Sequence, residues 1–331
     1  MLTLEQTIAR RDVLRRAADA ARLAPSVHNT QPWRFRISAE GLDLLLDEKR
    51  LLSVIDPEGR EAVISCGAAL LNARASLARD GYSTRVRRLP LGHFNPVLAH
   101  VEIGESDEPE PDLAHLEPLI RLRSTNRRTF SDRHPPREAI ARWAAAAAKE
   151  DSILVEVGEA HRRRVVAALS RRADVLETAD PAYRAELRAW TGSRRNRQDG
   201  VPDCAVPPAT SRAPEGLALR DFDAHGTATL ATDVAADNDP TLLVLGSTVE
   251  DPLAWLRVGE ALERILLDMA AYGWSATPLS QALEMPPIRA ALARELSLPF
   301  QPQLLIRVGR APAQPAVTPR RPLNAVFIGP E

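Results

Sequence analysis

The sequence predicts an α+β chain made of two related halves. Three observations predict it. Helix-like stretches with apolar residues near a 3.6 period alternate with short strand-like runs. Proline and glycine separate them. Blocks from the first part of the chain recur later in the same order.

Residues 3–24 read as a helix, because Ile8, Val13, Leu14, Ala17 and Ala21 fall near one face. Pro25 stops it, since proline cannot extend a helix and restricts the residue before it. "WRFRIS" and "LDLLLDE" then read as paired strands around Glu40-Gly41. Residues 61–80 form a second helix, with Gly81 placed to end it. "PVLAHVEIGE" is a further strand. The acidic, proline-rich "SDEPEPDL" (106–113) is the best boundary, giving units 1–113 and 114–331. Beyond it, "REAIARWAAAAAKEDS" (137–152) echoes residues 11–26. "VGEALERILLDMAAYGWSA" (258–276) echoes residues 66–84, pairing Gly67 with Gly259, Leu70 with Leu262 and Gly81 with Gly273. "FQPQLLIR" (300–307) echoes residues 94–101. Three echoes in order indicate an internal duplication, a fused pseudo-two-fold dimer. The stretch 190–228 is long, irregular and rich in Pro, Gly and charge, and reads as a loop or lid over a site.

The chain has 331 residues, a soft expectation of two domain-sized units. A chain this long buries roughly three-quarters of its unfolded surface. Lys and Arg number 43 against 44 Asp and Glu, a net charge of −1. That argues against nucleic acid as the partner. Cys66 and Cys204 stand far apart, with no disulfide framework or zinc spacing, and fit a reducing cytoplasm. The charged N-terminus is no signal peptide, and no apolar run approaches the roughly 20 residues that span a bilayer. We expect no membrane partner.

Three segments could carry chemistry. "RLRSTNRRTF" places Arg123, Thr125 and Arg127 at alternate positions, on one face if extended, a cradle for an anion. Arg320 and Arg321 form a second basic cluster that could converge on the same phosphate; otherwise both clusters are solvated surface charge. The turn "APSVHNTQPW" offers Pro25, Ser26, His28, Asn29 and Gln31, donors and acceptors between apolar flanks. It is either one wall of a planar polar ligand's site or a capped turn with Trp33 in the core. "YGWSATPLSQALE" (272–284) reads as a helix ending at Gly273 and a short loop carrying Ser280 and Gln281, whose amides could face a ligand; otherwise it is an ordinary αβ connection. The turn and the "RSTNRR" segment each lack a counterpart in the other half, so one composite site is expected rather than two. No GxGxxG after a strand, GxxxxGK[ST], HExxH or GxSxG motif occurs.

Together, "APSVHNTQPW", "RSTNR", "GWSATPLSQ" and "PQLLIRVGRAP…PRRP" resemble the FMN-dependent nitroreductase family, and most of all its Acg-like subgroup of single chains with two nitroreductase-like halves. The resemblance spans nearly the whole chain except 190–228. It implies an α+β fold with an antiparallel or mixed sheet flanked by helices and FMN at the interface of the halves. Arg123, Thr125 and Arg127 match the phosphate segment, and Arg320 or Arg321 the closing basic residue. Pro25, Ser26, His28 and Asn29 match the isoalloxazine turn, and Ser280 and Gln281 the loop facing the flavin N5. Ser-Gln stands where many relatives have Glu-Gly, and the phosphate segment has an extra residue before Phe130. The implied activity is transfer of electrons from NAD(P)H through flavin to a nitro compound, quinone or similar small-molecule acceptor, with no side-chain acid or base named. The alternative is a flavin-sequestering protein with a covered site. A monomer mimicking the family's dimer, or a weak homo-oligomer, is expected. A cofactor-free scaffold has no need of the unequal polar clusters.

Overall fold

The computed structural model describes residues 4–93, 95–104, 110–128, 130–131, 133–192, 196–205, 217, 220, 222, 241–312 and 316–329. Helix α1 (Leu4–Ala21) buries Leu14, Ala17, Ala18 and Ala21 completely. It unwinds before Pro25. Strands β1 (Trp33–Ile37) and β2 (Gly41–Leu46) form an antiparallel hairpin, in register from Trp33 opposite Leu46 to Ile37 opposite Leu42. Helix α2 (Arg60–Arg79) is buried along almost its whole length. Strands β3 (Ser83–Arg88) and β4 (Val97–Gly104) complete a four-stranded sheet of order β1-β2-β4-β3, antiparallel throughout.

The second set of elements is α4 (Arg137–Ala148), β5 (Ile153–Glu156), α5 (Ala160–Ala179), α6 (Pro181–Trp190), β6 (Thr241–Ser247), α7 (Pro252–Ala271), β7 (Ser275–Leu279), α8 (Gln281–Glu284), α9 (Pro286–Glu295) and β8 (Gln301–Gly309), after the short α3 (Pro111–Ala114). Its sheet has the order β5-β6-β8-β7, again all antiparallel. The order of strands is therefore the same in both sheets. A register shift falls at Leu44/Leu45 of β2 and at Leu245/Gly246 of β6.

The architecture is of the expected α+β class, with antiparallel sheets flanked by helices. There are two sheets, and α2 and α7 pack against each other between them. Their approach requires glycine. A Cβ on Gly67 would lie 2.9 Å from Gly259 Cα and nearer still to the Leu256 carbonyl oxygen, and a Cβ on Gly259 would lie 2.8 Å from Gly67 Cα. The residues that the sequence pairs as equivalents thus touch. The second sheet is covered on both faces, by α7 on one and by α5, α8 and α9 on the other. This explains why "TLLVLGS" is buried at every position: a strand enclosed on both faces reads as a continuous apolar run. The first sheet carries charge on its outer face, where Asp43 meets Arg36 and His100.

The expected boundary at 113 falls inside α3, and Leu113 is fully buried against Leu71 and Leu267, because this connector packs on the helix pair. Residues 105–109 and most of 190–228 lie outside the described residues. The C-terminal segment returns to the first sheet, where the Phe35 amide donates to Val326 O and the Ile328 amide to Phe35 O. Among the described residues, no helix is long and apolar enough to cross a membrane, and no cluster of His, Cys, Asp or Glu could hold a metal.

Candidate functional site

A cleft of about 110 Å³ opens where the turn after α1, the start of α2, the end of β7 and the segment at Thr125 meet. The turn is strained. His28, Asn29 and Gln31 all adopt left-handed φ values, +45°, +55° and +52°. Each such residue costs about 1–3 kcal/mol and persists only where its surroundings hold it. Here they do. Ser26 Oγ accepts from the Gln31 amide at 3.0 Å, and the Val27 amide donates to Ser65 Oγ at 3.1 Å. Asn29 Nδ2 donates to Gly200 O and Pro319 O, and Gln31 Nε2 to Gln198 O at 2.9 Å. Pro25, Ser26 and His28 line the cleft. Asn29 and Gln31 do not. Their side chains tie the turn to residues 198–200 and to the C-terminal segment, a task invisible before those distant segments are brought together. Trp33 is fully buried in the core beneath.

His28 is 6% exposed, and neither ring nitrogen has a partner. Burial, then Arg220 and Arg127, holds its pKa well below the usual value, so the ring is neutral. Phe222 meets it edge-on at 5.8 Å between ring centroids.

The arginine segment runs extended beside β7, with Thr125 bridged to Ala276. Thr125 and Arg127 line the cleft. Arg123, Arg127 and Arg320 gather in buried space. Burial first, then the charges of Arg123 and Arg220, pushes Arg127 down to about 10. Burial first, then Arg123, pushes Arg320 down to about 9, with Arg127 and Arg22 adding to the repulsion. The carboxylate among them is Glu263, 3.4 Å from Arg123 Nε, and burial raises its own pKa. Arg127 Nη1 and Arg320 Nε have no acceptor. Arg320 Nη1 donates to Asn29 Oδ1 at 2.9 Å and Nη2 to Ala24 O at 3.0 Å. Arg321 turns elsewhere. Its amide donates to Gln31 Oε1 at 2.8 Å and its guanidinium to Ala325 O at 2.6 Å. Of the two C-terminal arginines, Arg320 is the one whose charge is felt in the cluster.

Residues 275–279 are not part of the expected loop. They form β7, paired with β8 from Ser275 opposite Gly309 to Leu279 opposite Leu305, followed by the single turn α8. Strand pairing there needs β8, about thirty residues on, so local sequence reads only the helix end. Ser280 and Gln281 line the cleft, as do Ile64, Leu262, Leu279 and Leu304 on its apolar walls.

Sequence reasoning missed Glu61, Glu263, Arg220 and Phe222. Two of them had a signal. At the spacing that pairs Gly67 with Gly259, Glu61 falls opposite Leu253 and Glu263 opposite Leu71. A charge in one copy where the other has leucine, fully buried at Leu71 and partly buried at Leu253, marks a position released from packing. Arg220 and Phe222 lay in an aperiodic stretch that carries no such signal.

No family model matches the chain. Two proteins of Mycobacterium tuberculosis strain H37Rv, whose names assign them provisionally to the NAD(P)H nitroreductases, are similar to it. Rv3131 is 36% identical over 312 residues, covering 93% of this chain and 89% of its own. The protein named acg is 31% identical over 329 residues, 98% of either chain. The crystal structure of the FMN and NADPH-dependent nitroreductase NfnB from Sphigopyxis sp. strain HMH aligns over 65% of this chain and 99% of its own, with a TM-score of 0.42 and 16% identity.

Proposed function

The chain belongs to the nitroreductase family, and on that premise we propose that it is an FMN-binding oxidoreductase taking electrons from NAD(P)H to a nitro compound, quinone or similar acceptor. The observation that carries the cofactor reading is the cluster of Arg123, Arg127 and Arg320. Buried guanidiniums that repel one another and leave donors unused need an anion. A phosphate monoester supplies one, with several acceptor oxygens for planar donors. The cleft beside the cluster fits a flat heteroaromatic ring. It has apolar walls from Ile64, Leu262, Leu279 and Leu304, and unpartnered nitrogens on His28.

In this reading Arg123, Arg127 and Arg320 hold the phosphate and Thr125 adds a hydroxyl. Pro25, Ser26 and His28 form one wall, and Ser280 and Gln281 the wall across the cleft. Asn29, Gln31 and Arg321 act behind them by holding the turn in its left-handed form. Bound flavin supplies the two-electron chemistry; the chain supplies orientation and electrostatics. The same-order sheets and the Gly67–Gly259 contact support two nitroreductase-like halves, 1–113 and 114–331, within one chain that mimics a dimer.

Phe222, from the 190–228 stretch, stands against His28 and beneath the Arg127 guanidinium at 5.6 Å. That position favours a second reading, a covered flavin with little turnover. The visible absorption spectrum, before and after anaerobic NAD(P)H, decides. A flavin spectrum that bleaches supports the reductase. One that resists bleaching supports the covered site. Absence of flavin, with none taken up from added FMN, refutes both.

A further inference from the structure

A group of carboxyls behind the cleft wall has no task in the function just described. Glu284 of α8 accepts a hydrogen bond from Ser280 Oγ at 2.5 Å and another from Arg220 Nη2. Glu177 of α5 accepts from Gln281 Nε2 at 3.2 Å. Their other oxygens, Glu177 Oε1 and Glu284 Oε2, are buried and meet no donor. Hydrogen bonding with Glu284 nonetheless favours the protonated form of Glu177, outweighing the Tyr183 hydroxyl, whose hydrogen bond to Glu177 favours the ionised form. Two carboxylates cannot satisfy each other, since each only accepts, whereas one proton between them satisfies both.

Burial and the neighbouring carboxyls act in the same direction, against Arg220 and the Tyr183 hydroxyl, which favour the ionised form of Glu177. Facing the pair are Glu61 of α2, Asp56 just before that helix, Asp174 of α5, Tyr183 of α6 and the cations Arg60 and Arg220. The carboxyls outnumber the guanidiniums. Burial and then Glu284 push Glu177 up to about 8, and the same two causes lift Glu61 well above the carboxylate range. Ser280, Glu61 and Arg220 all line the cleft. The pair therefore stands one hydroxyl away from whatever the cleft holds.

We propose that Glu177 and Glu284 share one proton and deliver it, through Ser280 Oγ, to the acceptor being reduced in the cleft; the proposal rests on the oxidoreductase reading above. For a quinone the overall reaction is NAD(P)H + H⁺ + quinone → NAD(P)⁺ + hydroquinone. The electron pair comes from the C–H bond of the nicotinamide, which is oxidised, and the quinone is reduced. The proton comes from the carboxyl pair. With a quinone in the cleft, the Ser280 hydroxyl turns its hydrogen from Glu284 to a quinone oxygen, gives it up there, and takes the carboxyl proton from Glu284 on its own oxygen. The pair is left doubly ionised beside Arg220 and regains a proton from water. Ser280 touches the substrate; Glu177 and Glu284 act through it.

The first test needs no flavin. Infrared difference spectra of the cofactor-free protein, taken from neutral to alkaline pH, should show a protonated carboxyl band that disappears as pH rises through about 8. That component should be missing in Glu177→Gln, while the protonated carboxyl of Glu61 keeps its own band. The second test is stopped-flow oxidation of the prereduced holoprotein by a quinone. Wild-type oxidation should slow as pH rises past the same value. Ser280→Ala should keep the infrared band yet slow oxidation by about tenfold or more and abolish that pH dependence. Survival in Glu177→Gln of the component that titrates near 8 overturns the shared proton; the separate band of Glu61 is told apart by its loss in Glu61→Gln. An unchanged pH profile in Ser280→Ala overturns the delivery route, and this variant also serves if Glu177→Gln does not fold. Failure to bind flavin or to be reduced by NAD(P)H overturns the oxidoreductase reading and the delivery step together, while the infrared arm still reads the shared proton.

Discussion

At Arg127 and Arg320 two unfavourable effects coincide: burial away from water and repulsion by neighbouring guanidiniums. Such an arrangement is tolerable in a folded chain when a ligand neutralises it. Removing one charge-assisted donor from a phosphate costs about 1.5–3 kcal/mol, roughly ten- to a hundredfold in Kd. Arg127→Ala and Arg320→Ala should each weaken FMN binding by that amount in calorimetry. Riboflavin, which lacks the phosphate, should bind the variants and the parent alike; an equal loss for riboflavin would falsify the phosphate assignment. Arg321→Ala should instead act on the turn, because its guanidinium bonds to Gln31 O and Ala325 O rather than joining the cluster.

At the scale of elements, the decisive contact is that of α2 with α7. Both helices are buried nearly throughout, so their separation sets the distance between the sheets and the width of the cleft. Glycines at 67 and 259 let the backbones touch. Gly67→Ala has nowhere to place its methyl group without moving Leu256, and overpacking of this kind costs about 1–3 kcal/mol or more. A lower urea midpoint with an unchanged slope is the expected result. An alanine variant as stable as the parent would show that the helices can separate freely. Sequence comparison within the chain pairs these two glycines, but only packing shows that they meet each other.

For the whole molecule, the two-half reading asks why there should be one site rather than two. At the spacing that pairs Gly67 with Gly259, Arg88 at the end of β3 matches Ser280 at the end of β7. That counterpart is filled. Arg88 binds Glu260 at 2.7 Å, Arg74 binds Glu260 and Glu150 at 2.7 and 2.8 Å, and Arg264 binds Glu150 at 2.5 Å. Glu110 lies 3.2 Å from Arg74, so three cations face three carboxylates, and Arg74 and Arg264 hold Glu150 below the usual carboxylate range against the effect of burial. Among the described residues, no surplus cation is left there to call for a phosphate. FMN titration followed by absorbance should therefore saturate at about one flavin per chain. Saturation at two would return the counterpart to consideration as a site.

Much of this was readable in the chain itself. The helices at 4–21 and 60–79, the first hairpin and the segments at 25–31 and 123–127 all carry local signals: apolar period, proline stops, and polar residues clustered between apolar ones. Those signals are local because helix turns and tight hairpins bond residues a few positions apart. The tertiary structure alone decided that Arg320 rather than Arg321 meets Arg123 and Arg127. It decided that Asn29 and Gln31 brace the turn instead of lining the cleft, and that 275–279 is a strand. It also placed Glu61, Glu177 and Glu284 behind one wall. Each of these depends on partners far along the sequence, and on burial, which turns an ordinary surface charge into one that needs a proton or a counter-ion.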